Sequence, residues 1–87
     1  MPKSIIIILI GNRKDSAVQV QKIMTAWGCQ IKTRLGIHDG VLDNCSDEGL
    51  IFLELVGKPE DHAEFARKLN LVKHVKAQLI NLSLAED

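Results

Sequence analysis

The sequence predicts a two-layer α+β domain with the element order β-α-β-β-α-β. Three observations favour this class. Residues 5–10 and 50–56 are nearly continuous apolar runs, which are typical of strands buried on both faces. Residues 16–27 and 59–70 repeat apolar side chains at helical spacing, whereas the segments near residues 31–37 and 75–79 alternate with a period of two. The 87 residues suffice for one domain, which we assign to residues 1–87.

The first half of the chain contains a strand, a turn and a helix. The strand covers residues 4–10 and is followed by a turn at residues 11–14. Ser16 and Gln19 have the spacing of a capping box, so we expect the helix to begin at Ser16 and run to residue 27. Gly28 then stands where a left-handed C-terminal cap is expected.

The second half begins with an alternating strand, and a polar loop at residues 39–49 follows it. The strand is predicted to bury one face, formed by Ile31, Thr33, Leu35 and Ile37. Residues 50–56 form the third strand, and Pro59 suits the first position of the second helix. The last strand is predicted at residues 74–82.

This order is the split-βαβ pattern of ferredoxin-like folds, with strands one and three in the centre of the sheet and both helices on one face. Because the two central strands are apolar throughout, they also place apolar side chains on the sheet face that the helices do not cover. If Ile51, Leu53 and Leu55 face the helices, then three residues face away from them: Leu50, Phe52 and Val56. Because exposed apolar patches mark interaction surfaces, we expect these residues to form the interface of a dimer or tetramer.

The composition limits which partners the protein is expected to bind and in which cellular compartment it is expected to lie. Eleven basic and 11 acidic residues give a net charge of +0, and aromatic residues are 3% of the chain, so direct nucleic-acid binding is not expected. The apolar run at residues 5–10 is too short to span a membrane. Cys29 and Cys45 do not form a disulfide framework, which favours the reducing cytoplasm. We expect the Cys29 side chain to be buried.

A second interpretation is a metal-responsive protein. His38 and Cys45 lie at the end of the second strand and in its loop, and imidazole with thiolate suits zinc or nickel. His74 is a further candidate ligand, from this or a neighbouring subunit. The alternative is an ordinary polar loop. No motif requires a cofactor, and a transition metal is the one candidate.

Basic residues on the edge strands offer a third feature. Lys32 and Arg34, with Lys76 on the last strand, are predicted to form a strip for an anionic ligand or nucleic acid, or else a solvated edge that prevents strand pairing. Arg34 is alternatively expected to pair with Glu54 on the adjacent strand. The sequence has no phosphate loop, metalloprotease motif or nucleophile elbow, so we do not expect an enzyme. The remaining alternative is an enzyme that uses the acidic loop at residues 39–49.

Four short segments, at residues 34–37, 46–51, 68–70 and 75–76, resemble the family of iron-only hydrogenase system regulators. These are small, stand-alone proteins with an ACT-like form of the ferredoxin-like fold. The resemblance implies an oligomeric regulatory module of the hydrogenase system, in the role of a transcriptional regulator, which senses a small ligand or docks on a partner. For such a module we expect ligand contacts at Arg34, in the loop of residues 39–49, at subunit boundaries and at the first turn, with Gly11, Asn12 and Arg13. This turn lacks the Asp-x-Pro-Gly pattern of amino-acid-binding ACT domains.

His38 and Cys45 also resemble part of the nickel site in the ACT-like domain of the nickel-responsive regulator. That domain places histidines on a strand and a cysteine shortly after it. One strand histidine of that arrangement is missing here.

Overall fold

A computed structural model describes residues 2–11, 13–38 and 48–84, and it has the predicted order of elements. The helices are α1 (Arg13–Ala26) and α2 (Pro59–Asn70), and a short 3-10 turn spans Gly28–Gln30. The strands are β1 (Lys3–Ile10), β2 (Ile31–His38), β3 (Gly49–Leu55) and β4 (Val75–Leu82). Neither described helix is long and apolar enough to cross a membrane.

The four strands form one antiparallel sheet in the order β2-β3-β1-β4, which confirms the ferredoxin-like topology. The two apolar strands, β1 and β3, lie in its centre, as predicted. Ile6 pairs with Leu53 and Ile8 with Ile51, so these side chains share one face of the sheet.

Helices α1 and α2 cover that face, and the core lies between the two layers. Its fully buried side chains are Ile6, Ile8, Val20, Leu53, Phe65 and Leu69. Leu53 and Leu55 are buried and Ile51 packs against the same core, which confirms that these three residues face the helices. The β4 residues Val75, Ala77 and Leu79 lie opposite Ile10, Ile8 and Ile6, and so share this face.

Helix α1 begins earlier than the capping pattern predicted. It starts at Arg13, so Ser16 is its fourth residue and does not cap it. The Ser16 side chain is buried, and its hydroxyl donates a hydrogen bond of 2.8 Å to the Lys73 carbonyl. The predicted capping box is therefore wrong, because Ser16 joins α1 to the segment before β4. Gly28 is likewise not a left-handed cap, since Gly57 is the described glycine with a positive φ, at 101°.

An irregularity in β2 changes which side chains it buries. The register shifts between Ile31 and Thr33, so Ile31 lies opposite Leu55, on the side of the helices. Beyond the shift, Thr33 lies opposite Glu54 and is exposed, as is Leu35. The prediction that Ile31, Thr33, Leu35 and Ile37 share a buried face is therefore wrong for Thr33 and Leu35. A bulge of one residue reverses the alternation that the sequence pattern assumes.

The side chain of Asn70 closes α2 and pairs with the outer edge of β4. Its amide nitrogen donates to the carbonyls of Ala66, at 3.1 Å, and Ala77, at 2.9 Å. Its amide oxygen accepts the Ala77 N–H at 2.7 Å. Because β4 is an edge strand, these bonds satisfy backbone groups that no strand of the sheet reaches.

Candidate functional site

The face of the sheet away from the helices, here called the open face, is largely apolar. The register places on it Ile5, Ile7, Leu9, Leu35, Leu50, Phe52, Ile80 and Leu82. Leu35 is 56% exposed, Leu82 55% and Leu9 46%, and the others are half-buried. No helix covers this face in the described chain, so a four-stranded sheet presents aliphatic side chains to water.

Part of the open face forms a shallow depression of about 320 Å³. Ile5, Leu35 and Phe52 line it, from three neighbouring strands, together with Leu82 from β4. Its polar lining residues, Lys3, Thr33 and Glu54, lie at one end. The depression is therefore apolar in its centre and charged at one margin, which is typical of protein interfaces.

Glu54 organises the charged end of the open face. Its carboxylate lies 3.2 Å from the Lys3 ammonium and 3.9 Å from that of Lys32, and it accepts a 3.3 Å hydrogen bond from Thr33. The hydrogen bond from Lys3 is the main cause that lowers the pKa of the Glu54 carboxyl. Glu54 therefore stays ionised at neutral pH, and with the two lysines it forms a cluster of net charge +1.

The predicted interface residues lie on or beside this surface. Leu50 and Phe52 are on the open face, opposite Leu9 and Ile7 of β1. Val56 follows the end of β3 and is 44% exposed, and its N–H donates to the Gln30 carbonyl at 2.8 Å. Their role in an oligomer stays a prediction.

Arg34 lies on the other side of the sheet from Glu54. It is opposite Leu53, and its guanidinium donates a 3.0 Å hydrogen bond to the Gln21 side chain on α1. The predicted pair between Arg34 and Glu54 is therefore wrong. The predicted basic strip is also wrong, because Lys32 reaches Glu54 on the open face whereas Arg34 bonds to a helix.

Gly11 and His74, which the sequence assigned to different sites, are neighbours. The Gly11 N–H donates to the His74 carbonyl at 2.7 Å. Together with Glu48 and Lys76 they line a depression of about 350 Å³ at one end of the sheet. His74 precedes β4 and has a φ of 66°, so its predicted place on the last strand is wrong. Asn12 lies outside the described residues, as does the side chain of Arg13.

The metal prediction falls largely outside the described residues, which exclude Cys45 and the side chain of His38. The backbone of His38 pairs with Gly49, and Ile10 of β1 pairs with both Gly49 and Val75. His38 and His74 thus approach the same end of the sheet, but β3 and β1 lie between their strands. In the described ranges, no group of three or more His, Cys, Asp or Glu residues is arranged to hold a metal ion. The site stays a prediction.

Two features were missed in the sequence. His62 is buried, with Nε2 2.7 Å from the Val56 carbonyl, whereas its Nδ1 has no partner among the described residues. Its helical spacing from Phe65, Ala66 and Leu69 was the available signal.

The second feature is a cleft of about 570 Å³ between α1 and α2, lined by Cys29 among others. Cys29 is exposed, so its predicted burial is wrong: the 3-10 turn places it on the surface.

Comparison with known proteins shows the fold and leaves the family open. No family model and no curated protein matches the chain. The uncharacterized protein TM1266 from Thermotoga maritima is similar in structure, with a TM-score of 0.80 and 20% identity over 95% of this chain and 100% of that one. A dimeric ferredoxin-like protein from an uncultured marine organism reaches a TM-score of 0.47 and 12% identity, over 99% and 96% of the two chains. At this identity, the likeness to TM1266 establishes a shared fold over nearly the whole chain.

Proposed function

We propose that this protein is a non-catalytic regulatory module of the cytoplasm that self-associates through its open face, most simply as a two-fold dimer. The apolar open face is the observation that carries the proposal. A lone ferredoxin-like domain needs only one apolar sheet face, the one under its helices. Here eight apolar side chains lie on the opposite face. A second copy presents the same surface, so it is the simplest partner that covers it.

The dimensions of the open face are adequate for such a dimer. Four strands of up to eight residues outline a sheet of roughly 19 by 26 Å, or about 500 Å² before side-chain relief is counted. The smallest stable interfaces bury about 600 Å² on each partner. The flat area alone is therefore slightly below this limit, and the relief of the side chains brings a dimer that uses the whole face close to the lower end of the range for specific complexes.

Charge also favours a defined arrangement of the two copies. Lys3, Lys32 and Glu54 lie together at one end of the face, where an interface carries its polar margin. Glu54 is already paired with both lysines within one subunit. The three groups keep a net charge of +1, which fits the solvated margin of an interface and not its buried centre. The apolar centre supplies the driving force for association, and the charged end limits how the copies slide past each other.

The regulated process and the ligand are finer parts of the proposal. The resemblance of residues 34–37 and 46–51 supports a role in the iron-only hydrogenase system. The depression next to Gly11 and His74 supports ligand contacts near the first turn. Deleting the gene in its host and measuring hydrogenase activity tests this part. Unchanged activity would remove the hydrogenase role and leave self-association standing.

Native mass spectrometry of the gently purified protein, with sedimentation velocity between 1 and 100 μM, tests self-association. We expect a dimer or a larger closed assembly across this range. Additional mass on the native species would identify a bound ligand or metal. A monomer at 100 μM would refute the proposal.

A further inference from the structure

A large open cleft lies on the helix side of the molecule, away from the open face. It has a volume of about 570 Å³ and is bounded by the C-terminal part of α1, the 3-10 turn and Lys68 of α2. Its apolar lining residues are Ile23, Ala26 and Trp27. This helix cleft falls within the size range of small-molecule sites, about 300–1,000 Å³.

The aromatic wall of the helix cleft is held in place by the core. Trp27 stacks on Phe65 with ring centroids 5.4 Å apart and planes within 6° of each other. Phe65 is completely buried, and Trp27 is only half-buried. The core therefore fixes the orientation of the indole, while part of the ring lines the cleft. A preorganised apolar surface lowers the entropy cost of binding a flat or aliphatic group.

The charges of the helix cleft are all of one sign. Lys22 and Lys68 line it, no carboxylate does, and no described carboxylate is within ion-pair distance of either ammonium. The smaller cavities of 320, 350 and 440 Å³ each include Glu54 or Glu48. Asp61 does not line the cleft but accepts a 3.3 Å hydrogen bond from Gln30, which does. Two lining lysines and no lining carboxylate, in a chain with a net charge of +0, favour an anion.

One acidic residue, Glu64, lies near Lys68. The hydrogen bond from Arg67 is the main cause that lowers the pKa of the Glu64 carboxyl, and the charge of Lys68 adds to it. Arg67 already engages that carboxylate through two hydrogen bonds of 2.7 and 2.8 Å. Glu64 therefore does not neutralise Lys68 by direct contact, and the ammonium is available to a ligand in the cleft.

We infer that the helix cleft binds a small amphipathic carboxylate. Its apolar body lies against Trp27 and Ile23, and its carboxylate lies between the ammonium groups of Lys22 and Lys68. This site does not depend on self-association, because none of its residues is on the open face. The two proposals can therefore fail separately, and different measurements test them.

The chain provides its own reporter for this site. Trp27 is its only tryptophan, and the sequence has no tyrosine. Fluorescence excited at 295 nm thus comes from the wall of the helix cleft. A suitable probe is 4-bromobenzoate, whose bromine quenches indole emission on contact. The neutral 4-bromobenzamide has nearly the same shape and serves as the control ligand.

We expect saturable quenching by 4-bromobenzoate and at least about fivefold weaker binding of 4-bromobenzamide. The double variant K22Q/K68Q should bind 4-bromobenzoate at least about fivefold more weakly, since each exposed ion pair contributes modestly. The matched control K58Q/K73Q, which changes two exposed lysines outside the cleft by the same net charge, should bind like the wild type.

Two results would overturn the inference. One is quenching that rises linearly with concentration and is equal for both probes, which indicates collision alone. The other is equal affinity in K22Q/K68Q and the wild type, which would mean that the two lysines do not contact the bound carboxylate. Sedimentation of the same samples keeps the result separate from self-association.

Discussion

Replacing Leu35 with lysine tests the role of the open face most directly. Leu35 lies on β2, opposite Phe52, and is 56% exposed in one chain. Full burial of a leucine side chain stabilises by about 1.5–3 kcal/mol, so covering the exposed half contributes about 1 kcal/mol. A two-fold dimer covers two Leu35 side chains, which together contribute about 2 kcal/mol to association. Losing both raises the Kd of the dimer roughly 30-fold. Two lysines taken from water into the interface add to this.

The matched control is the same substitution at Leu71, which is 70% exposed and lies directly after α2. Both variants gain one positive charge and lose one exposed leucine. They differ in position, because Leu35 lies on the open face and Leu71 follows α2. Sedimentation velocity over a dilution series measures Kd, and circular dichroism checks that each variant remains folded. We expect Leu35→Lys to dissociate at concentrations where Leu71→Lys and the wild type remain associated.

Equal Kd values for the two variants would refute this reasoning. Such a result would mean that the copies associate through another surface. A folded Leu35→Lys monomer would in contrast show that association is not required for folding.

Further predictions concern single interactions. Asn70→Ala should lower the free energy of unfolding by about 1–3 kcal/mol in urea titrations, because buried backbone groups on β4 lose their partner. Gly57→Ala should destabilise by about 1–2 kcal/mol, because its φ of 101° strains any residue with a Cβ. In the same assay Gly28→Ala should change stability by less than about 0.5 kcal/mol, since a Cβ there meets nothing within 4 Å. Glu54 has a lowered pKa, so its ionised form stabilises the fold at neutral pH, and this contribution disappears as the pH falls through the glutamate range. Glu54→Gln should therefore lose less stability than the wild type between pH 7 and pH 3, and an equal loss would contradict the assignment.

Long-range order in this fold follows from hydrophobic pattern, which is why the sequence predicted the sheet well. β1 and β3 carry apolar side chains on both faces, so their central places in the sheet were readable from the hydrophobic pattern alone. The open apolar face followed from the same fact. Pro59 at the first position of α2 was also predictable, because its missing N–H would have had no helical partner.

Local details depend on contacts between distant residues, and a pattern does not encode them. Ser16 has the spacing of a cap but bonds to Lys73, 57 residues away in sequence. The bulge in β2 moves Leu35 to the open face although the alternation itself looks regular. Neither the hydrogen bond of Ser16 nor the bulge in β2 has a signal within its own segment of the sequence. The helix cleft was unpredictable for the same reason, since Lys22 and Lys68 line one cleft only when α1 and α2 pack side by side.

The strand order of the sheet also determines when β1 gains its partner strands during translation. Strand β1 is made first, yet both of its partners, β3 and β4, follow much later in the chain. Until residues 75–82 have left the ribosome, one edge of this aliphatic strand has no partner, and the core beneath it is incomplete. A nascent chain paused before that point exposes both an apolar strand and an unpaired edge, which are features that chaperones recognise and that promote aggregation. The buried position that stabilises the finished domain is thus its most vulnerable one during translation.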